Sequence, residues 1–292
     1  MFNKLLLISA LAALAMASSA QAAPLAVDGS LADWNVVLKD SASSTPASQF
    51  ATVTAPAGAK LLGYAIEDQN DINNDIFLGP HYGGQNYDVE FMAVAYQAGK
   101  VFLTIATGQR PDNGLQYYSP GDIRIVDNNN KVYGIEVGGG SGNASIKQGA
   151  ITEGATGTTY TLNSNGFTVS VANAAPAQTA GSIWSNVNWI ASPIAGETDS
   201  VQFTTGVNSV NLGTADYIYT RDSLTNQHAV IELSFDLSMF NDATSLDFFW
   251  APSCNNDLLS VHADLSQVPE PATLALFGLG MLGLARRRRA AK

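Results

Sequence analysis

The sequence predicts an all-β protein, an antiparallel β-sandwich or jelly roll, on three observations. Short apolar or alternating runs recur at close spacing, residues such as Gly, Asn, Asp, Ser and Pro separate them, and almost no stretch carries the 3.6-residue period of an amphipathic helix. The 26 glycines suit turns better than helix interiors. With 46% hydrophobic residues the chain can bury a core, and its single cysteine, Cys254, excludes an internal disulfide and every multi-cysteine zinc or iron–sulfur site.

The alternating runs predict strands at Phe50–Thr54, Leu61–Ile66, Tyr87–Tyr96, Lys100–Ala106, Asp122–Val126, Val132–Val137, Thr158–Leu162, Phe167–Val171, Val201–Thr204, Ala229–Phe235 and Leu246–Trp250. The clearest hairpin joins Tyr87–Tyr96 to Lys100–Ala106 through Gln97-Ala98-Gly99 and is expected at the centre of a sheet. Strict alternation puts Val89, Phe91, Ala93 and Ala95 on one face of its first strand, and Asp88, Glu90, Met92 and Val94 on the other. Val101, Leu103 and Ile105 form an inward set, as do Ile231, Leu233 and Phe235, with Glu232 and Ser234 opposed. Asp236–Asn241 reads as a helical turn, and Asp127-Asn128-Asn129-Asn130 as a hairpin turn. Trp34 and Trp250 read as core residues.

Three segments divide the chain. Residues 1–22 read as a signal peptide, expected to form an N-terminal signal helix: Lys4, an apolar run from Leu5 to Met16, and the small residues Ala20-Gln21-Ala22. Residues 23–268 form the predicted β-sandwich domain, with room for an insertion near 138–200, where Gly138-Gly139-Gly140-Ser141-Gly142 marks a glycine-rich connection. Residues 269–292 are an apolar stretch ending in a basic tail. The 246-residue body carries 8 basic and 24 acidic side chains, a net of −16. Such a surface repels phosphate backbones, so nucleic acid is excluded as a partner in favour of divalent cations or neutral glycans.

No catalytic set emerges. His81, His228 and His262 are scattered, and neither a His-Glu-x-x-His pair nor a Gly-x-Ser-x-Gly elbow is present. Asp88 and Glu90 lie about 7 Å apart by strand spacing, a glycosidase pattern only if a cleft and a further carboxylate face them. Glu67 to Asp75 holds eight acidic or amide side chains in nine residues. Asp68, Asp71, Asn73 and Asp75 are therefore candidate calcium ligands, against the alternative of a solvated acidic turn; no other cofactor is expected. Tyr82, Tyr117, Tyr118 and Trp184 lie in or near polar segments and are candidate glycan contacts, against the alternative that they are packed.

The tail carries a resemblance. Val268-Pro269-Glu270-Pro271 precedes the apolar run Ala272–Ala285 and then Arg286-Arg287-Arg288-Arg289, an order that closely resembles the PEP-CTERM sorting signal of exosortase substrates in Gram-negative bacteria. Fourteen apolar residues at 1.5 Å each give about 21 Å as a helix, so a short C-terminal transmembrane helix is expected, with the four arginines retained in the cytoplasm. The resemblance implies signal peptidase and an exosortase as partners, with Pro269, Glu270 and Pro271 recognised by the latter. It further implies an inner-membrane-anchored precursor that later reaches the cell surface or extracellular matrix, where extracellular polysaccharide is a candidate partner and a biofilm matrix a candidate setting.

A second, shorter resemblance lies in the body. Val27-Asp28-Gly29-Ser30-Leu31-Ala32-Asp33-Trp34 resembles the opening of domains related to family 9 carbohydrate-binding modules. Trp250-Ala251-Pro252-Ser253-Cys254-Asn255-Asn256-Asp257 resembles a motif of exosortase-dependent surface proteins, with Asn255 in place of that motif's glycine. Together these imply a non-enzymatic surface protein. The alternatives are a carbohydrate-binding-module-like protein or, as a weaker reading, a glycoside hydrolase.

Overall fold

The computed structural model describes residues 24–36, 53–56, 58–66, 88–109, 120–137, 158–162, 167–171, 178–191, 200–221, 228–252 and 257–268. They form fifteen strands: β1 (Lys60–Ile66), β2 (Val89–Gln97), β3 (Lys100–Thr107), β4 (Ile123–Asp127), β5 (Val132–Ile135), β6 (Thr158–Leu162), β7 (Phe167–Val171), β8 (Ser182–Ser185), β9 (Asn188–Ala191), β10 (Ser200–Thr204), β11 (Val210–Thr214), β12 (Asp216–Arg221), β13 (Ala229–Asp236), β14 (Ser245–Trp250) and β15 (Leu259–Asp264). A five-stranded sheet, β1-β2-β3-β13-β12, faces a six-stranded sheet, β11-β8-β5-β4-β14-β15, and the described strand pairings are antiparallel. The pairs β6–β7 and β9–β10 form two-stranded sheets of their own. The all-β sandwich is as predicted, with β3 at the centre of its sheet.

The flanking helices are corrected. Among the described residues the helical elements are short 3-10 turns at Leu31–Trp34, Leu237–Phe240 and Leu265–Gln267, and no helix is long and apolar enough to cross a membrane. Neither the expected signal helix nor the expected transmembrane helix is among the described elements, so no described helix supports the inner-membrane-anchored precursor. Residues 1–22 and 272–285, on which those helices are expected, lie outside the described residues. Val53 and Thr54 are described but not in a strand, so the described end of the Phe50–Thr54 expectation is also corrected.

Alternation builds the core between the sheets. Val101, Leu103 and Ile105 from β3 and Ile231, Leu233 and Phe235 from β13 meet Ile123, Ile125, Leu246, Phe248 and Trp250 from the facing sheet, all buried. One strand departs from strict alternation. The β2–β3 register shifts between Val89 and Phe91, and the extra residue of this bulge sends Val89 into the inter-sheet core with Met92 and Val94. Phe91, Ala93 and Ala95 then face the other way, into a second core.

That second core is made by the segment 24–36, which lies as a strap on the outer face of the five-stranded sheet. Leu25, Leu31, Trp34 and Val36 pack with Phe91, Ala93, Ala95, Phe102, Ala106 and Val230. The strap is locked by one carboxylate. Glu232 Oε2 accepts the backbone N–H groups of Asp28 and Gly29, each at 3.0 Å, and Oε1 accepts the indole N–H of Trp34 at 3.1 Å. Burial pushes the Glu232 carboxyl up to about 7, against the pull of these three donors.

Two glycines permit close approaches. A Cβ at Gly63 in β1 would overlap the backbone carbonyl oxygen of His262 in β15, so a bare backbone closes the seam between the two sheets there. A Cβ at Gly134 in β5 would stand 2.5 Å from the ring of Phe203 in β10. Phe203 is buried on the outward side of the six-stranded sheet and packs against Trp189 with ring centroids 5.7 Å apart.

The β4–β5 turn is the hairpin turn expected at Asp127–Asn130. Asp127 Oδ1 accepts the N–H groups of Asn129 and Lys131, while Oδ2 accepts the Tyr133 hydroxyl at 3.1 Å. Asp127→Ala is expected to cost about 2 kcal/mol in a denaturant melt, because two turn amides and a buried phenol lose their acceptor together.

Candidate functional site

The sandwich has two poles, about 26 Å apart along the nine residues of β2. One carries short turns: Ala98-Gly99 between β2 and β3, Asn128-Asn129 between β4 and β5, the 237–244 connection, and the exit of the chain at Val268. Their backbones are cross-linked, with Leu237 N–H donating to Gly99, Asn128 N–H to Ser245 and Leu265 N–H to Thr244. From the other pole the chain departs into residues 67–87, 110–119, 222–227 and 253–256.

At that second pole lies a buried polar cluster. Asp88, Glu90, Gln109 and His228 are each at most 2% exposed. His228 Nε2 lies 2.8 Å from Glu90 Oε1. Asp257 accepts the N–H of Val89 at 2.6 Å and of Leu258 at 2.7 Å, tying the start of β15 to the start of β2. The Asp88 carbonyl accepts Gly108 N–H and the Thr107 hydroxyl, and Tyr219 donates to the Gln109 carbonyl at 2.6 Å. Five strand ends are thereby held together: β2, β3, β12, β13 and β15.

Burial raises the Asp257 carboxyl above its ordinary value, and the nearby Glu90 carboxylate adds to the rise, against the amide hydrogen bonds and a hydrogen bond with Asp88. The cluster is largely sealed from solvent, with Asp257 half-buried. Its evident work is to set the roots of the departing segments. Asp257→Ala is expected to lower stability by about 3 kcal/mol, and to speed amide exchange at Val89 and Leu258 ahead of the sheet centre.

The predicted site residues distribute as follows. Asp68, Asp71, Asn73 and Asp75, with Tyr82, Tyr117 and Tyr118, lie outside the described residues, although the roots of their segments (Ile66, Asp88, Gln109 and Pro120) all belong to this pole. Pro269, Glu270, Pro271 and Arg286 to Arg289 also lie outside them. Trp184 is described, half-buried on the outward face of the six-stranded sheet, in register with Gly134 and Asn211 and donating its indole N–H to Ser182 Oγ at 2.9 Å. Among the described residues no group of three or more His, Cys, Asp or Glu side chains is placed to hold a metal ion. Asp88 and Glu90, read as neighbours on one face, are both buried in this cluster, Glu90 beside His228 and Asp88 beside Asp257.

Gln109 and Asp257 were not singled out individually in the sequence, and His228 was read only as one of three scattered histidines. The one available signal was Asp257 as the last residue of the Trp250–Asp257 motif.

Comparison with known proteins identifies one segment. Residues 267–289 match the family of the PEP-CTERM protein-sorting motif. No curated protein and no solved structure matches the chain, so no specific likeness to family 9 carbohydrate-binding modules is supported. The motif implies exosortase-dependent sorting to the cell surface or extracellular space.

Proposed function

We propose that the chain is a non-enzymatic protein of the cell surface or extracellular matrix, delivered there as the substrate of an exosortase. The observation that carries this reading is the sorting motif at 267–289. The body's construction supports it, because the acid groups most suited to chemistry are consumed in holding strand ends together. The test is the mass and location of the protein in cells with and without their exosortase. A product shortened near Pro269 and outside the cell, seen only when the exosortase is present, supports the reading. An unchanged mass and location in both strains refutes it.

A second reading, binding of neutral glycan, is favoured by the outward face of the six-stranded sheet. Arg124 lies 4.8 Å over the Phe249 ring, and the exposed His262 and Asp247 side chains pair at 2.7 Å beside it, a mix of ring faces and planar polar groups suited to sugars. Retardation of the protein on a polysaccharide affinity gel, abolished by Phe249→Ala, would support it. A glycoside hydrolase finds less support, since Asp88 and Glu90 are buried. Calcium belongs to the same proposal through Asp68, Asp71, Asn73 and Asp75. A saturable, calcium-specific rise in melting temperature, with magnesium as control, is the expected outcome, and no rise removes calcium from the reading.

A further inference from the structure

Beside the strap, the outer face of the five-stranded sheet holds an open hollow of about 510 Å³. Strand register creates it. Phe102 of β3, Ser234 of β13 and Asp216 of β12 stand in one cross-strand row, and Lys100 lies two residues from Phe102 on the same face. Along β13 the outward side chains are Val230, Glu232 and Ser234, so the surface drops at the last and smallest of them. Leu25 and Val27 of the strap form the opposing wall. That wall is tied on both sides: Leu25 N–H donates to Gln97 Oε1 at 2.8 Å, and the N–H groups of Asp28 and Gly29 are held by Glu232. The hollow is therefore built before anything enters it.

Its polar groups converge and are fixed. Lys100 Nζ lies 2.8 Å from Asp216 Oδ2, and the Ser234 hydroxyl donates to the same oxygen at 3.1 Å. Both donors thus occupy one carboxylate oxygen. Asp216 Oδ1 takes no hydrogen bond among the described residues, and the Asp216 side chain is 65% exposed. The ammonium keeps two more N–H groups, and the Ser234 oxygen keeps acceptor capacity. An acceptor therefore stands beside a donor, over a lining of Leu25, Val27 and Phe102. Phe102 is almost fully buried, so this lining offers aliphatic contact from half-buried Val27 and no ring face for stacking.

An adjacent acceptor and donor match two neighbouring hydroxyls, with the C–H groups between them against the apolar wall. Charge narrows the class. A cationic ligand would have to displace Lys100 from Asp216. An anionic one meets Asp216, the Asp236 carboxylate in register with Lys100, and a body of net −16. We infer that this hollow binds a neutral sugar unit, with Asp216 accepting from one hydroxyl, Lys100 donating to its neighbour and Ser234 holding the Asp216 carboxylate in place. The site lies on the opposite sheet from Arg124 and Phe249 and does not depend on the reading given to that face.

Saturation-transfer NMR on the purified full-length chain tests it, with a panel of neutral hexoses and their disaccharides as probes and glucuronate and glucosamine as charged comparisons. At least one neutral sugar is expected to bind saturably, and Asp216→Ala or Lys100→Ala is expected to weaken it about tenfold. Both side chains are exposed, so the melting temperature of each variant is expected to stay within about 2 °C of the natural chain's. Absence of binding by every neutral sugar overturns the proposal. So does binding that both variants leave unchanged, or glucuronate or glucosamine binding more tightly than any neutral sugar. Neutral-sugar binding that Phe249→Ala abolishes and Asp216→Ala spares also overturns it, and assigns the sugar to the six-stranded sheet instead.

Discussion

Replacing Glu232 with alanine is expected to destabilise the protein by about 4 kcal/mol, with the loss concentrated in the strap at 24–36. The substitution leaves three donors, Asp28 N–H, Gly29 N–H and the Trp34 indole, without the carboxylate that takes them all. Chemical denaturation gives the total, and amide exchange at Gly29 rising before that of β3 gives the location. Glu232 also imposes a pH dependence. Its folded-state carboxyl is raised to about 7 from an ordinary 4.5, so its contribution is complete below pH 4.5 and is lost as pH rises towards 7. The difference amounts to about 3 kcal/mol. Asp257, raised for the same reason, acts in the same direction. The exposed Lys100–Asp216 pair holds the Asp216 carboxyl below 3.8 and acts only in stronger acid, outside this window. The melting temperature is therefore expected to fall between pH 5 and pH 8. Glu232→Gln flattens that fall and lowers stability at pH 5, because its amide nitrogen cannot accept from Trp34.

Gly63→Val is expected to cost about 3 kcal/mol or to prevent recovery of soluble protein. The side chain would enter the space held by the His262 carbonyl and the Val261 side chain, and a backbone group cannot rotate aside as a long side chain can. The seam between β1 and β15 opens as a result. Gly206→Ala is the control: it is exposed, with only the Asn188 amide near, and is expected to cost less than about 0.5 kcal/mol. A melt of the two variants side by side decides whether the seam or glycine removal in general is responsible.

The central hairpin and the inward sets were readable because their residues obey a period of two over eight or nine positions. The pairs Thr158–Leu162 and Phe167–Val171 were readable to the residue. What escaped has physical causes. β8, β11 and β12 mix polar residues with aliphatic or aromatic ones, and β11 and β12 are edge strands with exposed or half-exposed side chains. β15 alternates Leu259, Val261 and Ala263 inward, so its signal was present and missed. The bulge at the start of β2 is invisible to alternation, which is why Val89 was placed with Phe91, Ala93 and Ala95. Glu232 was legible as outward-facing, but not that a distant strap replaces water there. The buried cluster joins Asp88 to Asp257 and Glu90 to His228, partners 169 and 138 positions apart, and no local pattern encodes such pairings. The sorting motif was legible in full because it is a linear signal whose meaning does not depend on the fold.

The strap and its carboxylate also set an order of events in folding. Asp28 and Glu232 are 204 positions apart, and Phe91 and Phe102, which the strap covers, belong to strands completed only when β13 joins β3. A chain made from its N-terminus delivers the strap 204 positions before its acceptor. Until residue 232 has emerged, the strap has no acceptor for its amides, and β3 lacks its neighbour. Closure waits on contacts of very high sequence separation, the kind that slows folding most. The same strap that covers the finished sheet keeps the nascent chain from closing before β13 has been made.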